Sequence, residues 1–408
     1  MENLQTLNDF PIIDIWVGED GNELVNTNHK YIFQDNVIIY DYYSLVFGFF
    51  SFLFKPYTQS INIKKRNIDN IDSSHINIVV VPCPDPYNVI RLLQSITIDL
   101  YNWCESNNIK IAICVTRETI YNLKNVILDS TIKYDLINCG FKSSIVKIIN
   151  NSFQDLPDLI NVEYIVSVDM MRRTLRFILA NTNIQLSKNR TYNFSLLTGV
   201  LYQRPNRIIF LSECYNLNIL DDKFFYSICM LDEEKHLKYI KTLANNYKNP
   251  SIILNASNSI FKHKTYGITG ELLTTNSIYD DNIEFFIPPQ VLDSYIHIVL
   301  ETVDHVPSLT EKIFKPIVAG LPFIWHGCQN ILPYLESLGF KRYDGIDYSF
   351  DSDPNPERRM DLLIEEVRRL NKVDLKSLAL SNIEVSKHNQ QVFQSICRDY
   401  NDLWDQLK

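Results

Sequence analysis

What this sequence lacks narrows it before anything it contains. Its eight cysteines (Cys83, Cys104, Cys114, Cys139, Cys214, Cys229, Cys328 and Cys397) form no CxxC pair, and several sit inside apolar runs. That pattern argues against a zinc ribbon or disulfide framework and for reduced, buried thiols. The eight histidines show neither HxH nor HxxxH spacing, so no transition-metal site is expected. Lys and Arg total 39 against 48 Asp and Glu, a formal charge of −9. Broad, non-specific duplex DNA binding normally shows a basic footprint and is not expected here. No stable membrane span is expected either, since the most apolar stretch, Tyr42–Phe54 (YYSLVFGFFSFLF), is too short for one. We read it as a buried helix or paired strands; contact with a membrane surface is the alternative, without the usual basic cluster beside it. The opening MENLQTLNDF is polar and acidic and carries no signal-peptide pattern, so a cytoplasmic setting is expected.

What is present suits packed interiors. The chain has 408 residues, 46% hydrophobic and 12% aromatic, which excludes general disorder and suggests two domains. The first half alternates strand and helix: strand Ile76–Pro82, helix Tyr87–Glu105, then strands Ile109–Val115, Ser144–Ile149 and Tyr164–Val168. Short turns between them imply parallel pairing and a doubly wound α/β sheet. Residues before about 75 are expected to add strands to that domain. The basic, helix-patterned Met170–Leu186 marks a boundary, giving an N-terminal α/β domain over 1–186 and a second over 187–385. In the second, Tyr192–Gly199, Arg207–Leu211 and Ser251–Leu254 read as strands. Amphipathic helices follow at Asn355–Asn371 and Asn389–Leu407, and the terminal 386–408 is expected to form a helix of its own.

One stretch is more specific: YIHIVLETVDHVPSLTEKIFKPIVAGLPFIWHGCQNILPYLESLGF, Tyr295–Phe340. It reads as strand Tyr295–Leu300, a polar loop, helix Leu309–Ala319, Gly320 at the C′ position and strand Leu321–Trp325. Ser308 with Glu311 three residues on has the form of a capping box. A helix start at the end of a parallel strand is where α/β proteins bind anions, because free N–H groups and the dipole point there. Glu311, Lys312 and Lys315 lie at that start, with Glu301 at the strand tip. Carboxylates for ribose or sugar hydroxyls and ammonium groups for a diphosphate suit a nucleotide sugar.

The run Glu301-Thr302, Leu309-Thr310-Glu311-Lys312-Ile313-Phe314-Lys315-Pro316-Ile317 and Gly320-Leu321-Pro322-Phe323 resembles the donor-binding motif of α1,3-fucosyltransferase-type glycosyltransferases. It is closer still to virus- and phage-encoded glycosyltransferases with the pattern E-T…TEKxxKPIxxGxPFI…L…LGF. The clear likeness covers roughly the second half of the chain. It implies the GT-B architecture, two Rossmann-like doubly wound domains facing across a cleft, with the last helix returning onto the first domain. It also implies a GDP-sugar donor bound by the second domain without a metal, and a host-cytoplasmic setting if the chain is viral. Thr310 belongs to the same donor motif. Arg204 and Arg207, in LYQRPNRIIF, lie just before an expected strand and match an RPxxR segment that the likeness implies touches the diphosphate. Guanidinium is the better fork for phosphate oxygens, although a solvated turn is the plainer reading of an isolated pair.

Inverting transfer needs a base for the acceptor hydroxyl, and with the cations in the second domain that base is expected in the first. Glu118, beyond the strand in IAICVTRETI, is the candidate, and Asp85 the runner-up; a turn role remains open for both. The likeness implies a strand-then-glutamate element, typically Gly-Glu-Asn, where this chain has Arg117-Glu118-Thr119. Asp351-Ser352-Asp353 has the DxD form of metal-dependent transferases but sits in a polar loop, and we read it as a loop. His326, at the end of PFIW, is placed either against the nucleotide or in a turn. The acceptor stays open among a glycan, a glycoconjugate such as a protein, and a hydroxylated base of modified DNA. A catalytically silent nucleotide-sugar-binding protein is the alternative from another class. No resident cofactor is expected, the nucleotide sugar being a co-substrate, and oligomeric state is not readable.

Overall fold

A computed structural model describes residues 182–399 apart from 230–231, 268, 274–285 and 302–308, and five strands with a few helical residues before them. The chain divides into two compact units, Met1–Arg172 with Arg398–Lys408, and Arg173–Cys397. The division falls in the basic, helix-patterned stretch, where Met171, Leu175 and Ile178 are all buried.

The first unit holds a five-stranded sheet: β1 (Val37–Asp41), β2 (Ile76–Cys83), β3 (Ile109–Val115), β4 (Val146–Asn150) and β5 (Glu163–Val166). All pairings are parallel and the strands stand in chain order. INIVVVPC and IKIAICV are near-continuous apolar runs, the sequence pattern usual for strands of a parallel sheet. The strand anticipated upstream of residue 75 is β1. Tyr42–Phe54, Asp85, Glu118 and all but the last residue of the expected helix Tyr87–Glu105 lie outside the described residues.

The second unit is built on a four-stranded sheet of β6 (Tyr192–Val200), β7 (Phe224–Cys229), β10 (Ser294–Leu300) and β11 (Phe323–His326). A short hairpin, β8 (Thr265–Tyr266) with β9 (Leu272–Leu273), lies between β7 and β10 in the chain. The order across the main sheet is β11-β10-β6-β7, parallel throughout. Phe194, Leu196, Ile296, Ile298, Ile324 and Trp325 are almost wholly inaccessible and form the sheet's share of the core. Around it lie α1 (Pro205–Asn216), α2 (Glu233–Asn246), α3 (Pro250–Ser257), α4 (Pro289–Leu292), α5 (Glu311–Ala319), α6 (Ile331–Ser337), α7 (Pro356–Leu370), α8 (Leu375–Ser381) and α9 (Ile383–Asp399). Among the described residues no helix is long and apolar enough to cross a membrane.

Several expectations are corrected. Arg207–Leu211 is not a strand but the body of α1: Pro205 at its first position fixes a helical φ, and Arg204 is its N-cap. Ser251–Leu254 belongs to α3, likewise opened by Pro250. The strand β7 (FFYSIC) was not anticipated. Helix α5 starts at Glu311, two residues later than expected. Its cap is Thr310, whose hydroxyl accepts the Lys312 N–H, so Glu311 is the first helical residue rather than the third of a capping box. Gly320 closes it in the left-handed region at φ 71°, and Leu321 N–H returns to the Pro316 carbonyl at 2.9 Å. The terminal helix runs Ile383–Asp399, and its described part docks on the second unit: Phe393 meets Phe314 with centroids 5.3 Å apart, and Gln390 Nε2 donates to the Val318 carbonyl at 2.8 Å. A Cβ on Gly320 would fall 2.9 Å from that glutamine amide, a second reason for glycine there.

A buried polar chain ties β6 to β10. Ser294 Oγ donates to the Val291 carbonyl at 2.6 Å, so it accepts from Ser195 Oγ at 2.6 Å, which in turn accepts from His297 Nδ1 at 2.8 Å. The imidazole is thereby a neutral Nδ1–H tautomer, and burial followed by the Lys315 charge pushes its pKa down to about 3. The unfolded ring takes a proton near pH 6.5 and the folded ring does not, so stability is full above that value and declines as the pH falls toward 3. Between pH 7 and 5 the native state should lose ~2 kcal/mol from this group. Urea midpoints across that interval should fall less in His297→Gln; equal slopes would discard this account.

Candidate functional site

In β11-β10-β6-β7 the chain leaves β6 to one side through α1 and returns on the other side with β10, which it leaves through α5. Right-handed crossovers then place α1 and α5 on opposite faces, so the strand order reverses between β6 and β10, and beyond the carboxyl ends of such a pair open α/β sheets form their ligand crevice. Two helix N-termini meet there, capped by Arg204 and Thr310.

From the β10 side, Glu301 is 1% exposed, and its N–H donates to the His326 carbonyl at 2.9 Å. Thr310 Oγ1 donates to the Glu301 carboxylate, at 2.8 and 3.0 Å from its two oxygens. The same hydroxyl accepts from Lys312 N–H and from Lys312 Nζ, each at 3.3 Å. Lys312 Nζ also pairs with Glu311 Oε1 at 2.6 Å, and the two side chains keep 21% and 13% of their surface. Lys315, one turn on, is buried, and its charge acts on Glu311 and on His297 beneath. From the β6 side comes Arg207, 4% exposed, with Nη1 donating to the Val200 carbonyl at 2.8 Å. Arg204 is half-buried, its Nη1 on the Gln203 carbonyl at 3.0 Å.

The electrostatics show that these residues share one field. Burial pulls the Arg207 guanidinium down to about 10 and Arg204 adds to that, while Glu301 and Glu311 oppose it; Arg207 remains charged at neutral pH. Burial raises the Glu301 carboxyl above its ordinary range, Lys312 opposing and Glu311 reinforcing. Burial also works against charge on Glu311, yet Lys312 and then Lys315 hold it below the usual carboxylate value. For Lys312 burial is outweighed by Glu311 and Glu301, and the ammonium is held above its ordinary pKa. Four cations (Arg204, Arg207, Lys312, Lys315) thus share the crevice with two carboxylates. The formal excess is positive, at the starts of two helices. Such a site suits a dianion carrying hydroxyls.

His326 is buried at the end of β11, and its contribution to this arrangement is the carbonyl that accepts from Glu301. Asp351, of the DxD-like triplet, is a structural cap: its carboxylate oxygens accept from Ile331 N–H at 3.3 Å and Leu332 N–H at 3.1 Å at the start of α6. Among the described residues no group of three or more His, Cys, Asp or Glu is placed to hold a metal ion. The sequence reading missed the Ser195–His297 chain; two polar residues in otherwise apolar strands of one sheet were its only visible signal.

No protein-family model matches the chain, and no curated protein matches its sequence. Solved structures with a similar layout include one described as trehalose-6-phosphate from E. coli bound with UDP-2-fluoro glucose, at 12% identity, TM-score 0.40, over 79% of this chain and 73% of that one. A second is a trehalose-6-phosphate synthase studied with bisubstrate glycomimetics, at 11% identity, TM-score 0.36, over 80% and 74%. A third is an α,α-trehalose-phosphate synthase (UDP-forming) from Burkholderia vietnamiensis, at 10% identity, TM-score 0.37, over 81% and 73%. With every TM-score below 0.5, no activity carries over from them.

Proposed function

We propose that the chain is a glycosyltransferase of GT-B type whose second unit binds the nucleotide diphosphate of a sugar donor. The carrying observation is the meeting of Arg207 and Lys312 with Glu301 and Glu311 at the point where the strand order reverses. The cations neutralise the diphosphate as it departs, the work a metal performs in other transferases, so the reaction is metal-independent in this reading. The carboxylates take the vicinal hydroxyls of the ribose. The fucosyltransferase and viral likeness of Tyr295–Phe340 favours a GDP-sugar and inversion by direct displacement onto a glycan or glycoconjugate hydroxyl, with a hydroxylated DNA base as the alternative acceptor. Glu118 is the proposed base, Asp85 its understudy.

The test is a thermal-shift panel of GDP, UDP and their sugars with and without EDTA. A ligand that binds only the native state at 100 times its Kd stabilises it by ~2.7 kcal/mol, several degrees in melting temperature. At least one nucleoside diphosphate should raise the melting point, and chelation should leave that rise unchanged. No response to any of them ends this reading. Binding without transfer to any acceptor favours a silent nucleotide-sugar-binding protein instead.

A further inference from the structure

Beside the cation site, still at the carboxyl edge of the sheet, stands an aromatic group without an assigned task. Tyr202 follows β6 two residues before Arg204, and Lys235, His236 and Tyr239 lie on the first turns of α2, which follows β7. The Tyr202 and Tyr239 rings meet edge to face with centroids 5.4 Å apart, and the His236 ring lies 6.2 Å from Tyr202. Lys235 Nζ stands 4.2 Å from the Tyr202 centroid. Both tyrosines are half-buried. Burial raises the Tyr239 phenol and the Arg204 charge partly counters it, which ties this shelf to the cations beside it.

His236 is the informative member. Its ring is 3% exposed, and Nδ1 donates to the Asp232 carbonyl at 2.6 Å. In the neutral ring Nε2 is then a bare acceptor, and among the described residues it has no hydrogen-bond partner. A buried acceptor left unmatched is costly, and its natural partner is a hydroxyl or N–H from outside the protein.

Along the sheet edge the order of neighbours is shelf, Arg204, Arg207, then Glu301 with Lys312 and Glu311. Resting on the donor reading above, the carboxylates hold the ribose and the cations the diphosphate; the base extends beyond the ribose, away from the cations. What remains past Arg204 is the sugar to be transferred. We propose that Tyr202, Tyr239 and His236 seat that sugar ring, its C–H face against a tyrosine and one of its hydroxyls donating to His236 Nε2. Saturated rings favour this surface because their C–H groups are apolar and faintly positive, and the aromatic face is negative.

The experiment is calorimetric titration of UDP-glucose, UDP-N-acetylglucosamine, GDP-fucose and GDP-mannose, each beside its bare diphosphate, with inorganic pyrophosphate as reference. The variants are Tyr202→Ala, Tyr202→Phe and His236→Asn; the asparagine amide nitrogen can still reach the Asp232 carbonyl but has no counterpart of Nε2. Tyr202→Ala and His236→Asn should weaken a sugar nucleotide ~10-fold, one lost hydrogen bond or ring contact, and leave the bare diphosphate within ~2-fold. Tyr202→Phe should bind like the parent. If His236→Asn fails to fold, the half-buried Tyr202 pair still decides. Equal loss for sugar nucleotide and bare diphosphate with pyrophosphate unchanged would put the nucleoside on the shelf and overturn the proposal. No selective loss in either variant also overturns it. A parent protein that binds no nucleoside diphosphate at all brings down the donor site itself, a result distinct from either.

Discussion

Replacing Lys312 by alanine should erase the nucleoside-diphosphate thermal shift, weakening binding by ~100-fold or more, the scale on which truncating one member of a desolvated charge pair acts. Lys312 does three things from one atom. It neutralises Glu311 at 2.6 Å, donates to the hydroxyl through which Thr310 holds Glu301, and supplies positive charge next to Arg207. Without it Glu301 and Glu311 keep only Arg204, Arg207 and Lys315 against them, and an incoming diphosphate meets two carboxylates with one cation fewer and no ammonium on Glu311. Lys312→Arg retains the charge and should keep part of the shift, since a guanidinium cannot reproduce the compact ammonium between Thr310 and Glu311. The control is Lys248→Ala, which removes an exposed pair with Asp361 at 2.7 Å and should change nothing in the titration. A full shift retained in Lys312→Ala would falsify the placement of the diphosphate at this helix start.

The helix α5 and its neighbours were legible because their signals are local. An apolar β-branched run, a hydroxyl before a charged turn and a glycine at C′ need no knowledge of the rest of the chain. The capping residue was misplaced because Ser308 and Thr310 offer the same hydroxyl. What selects Thr310 is the Glu301 carboxylate, nine residues earlier, which accepts the threonine proton. PNRIIFL reads as a strand if its apolar residues are weighed and as a helix if its proline is; here the proline at the first helical position decided, and it turned Arg207 inward at 4% exposure. The strand order was out of reach, since nothing within β6 or β10 states which neighbour each will take. That order is what carries Arg207 to Glu301 across some ninety residues of chain. His236 was illegible for the same reason, an ordinary-looking histidine on an amphipathic helix until its partners were placed.

Changing Glu118 to glutamine should lower turnover by ~10²–10⁴-fold, the range of a lost general base, and leave the nucleotide shift of the second unit intact. The substitution keeps size and hydrogen-bonding capacity and removes only the ability to take a proton. The expectation rests on the division of labour in the proposed function: the cations of the second unit would stabilise the departing diphosphate, and Arg207 and Lys312 stay protonated at neutral pH. The acceptor hydroxyl therefore needs a carboxylate from elsewhere. β3 ends at Val115, so Glu118 follows the carboxyl end of a parallel strand, where open α/β sheets place their reacting groups; β2 ends at Cys83 and gives Asp85 the same claim. Asp85→Asn separates the two, because the residue that is only a turn former loses stability without a matching fall in rate. Undiminished turnover in Glu118→Gln removes it as the base. A product carrying the donor's anomeric configuration removes the need for a displacement base altogether, leaving the diphosphate site standing without it.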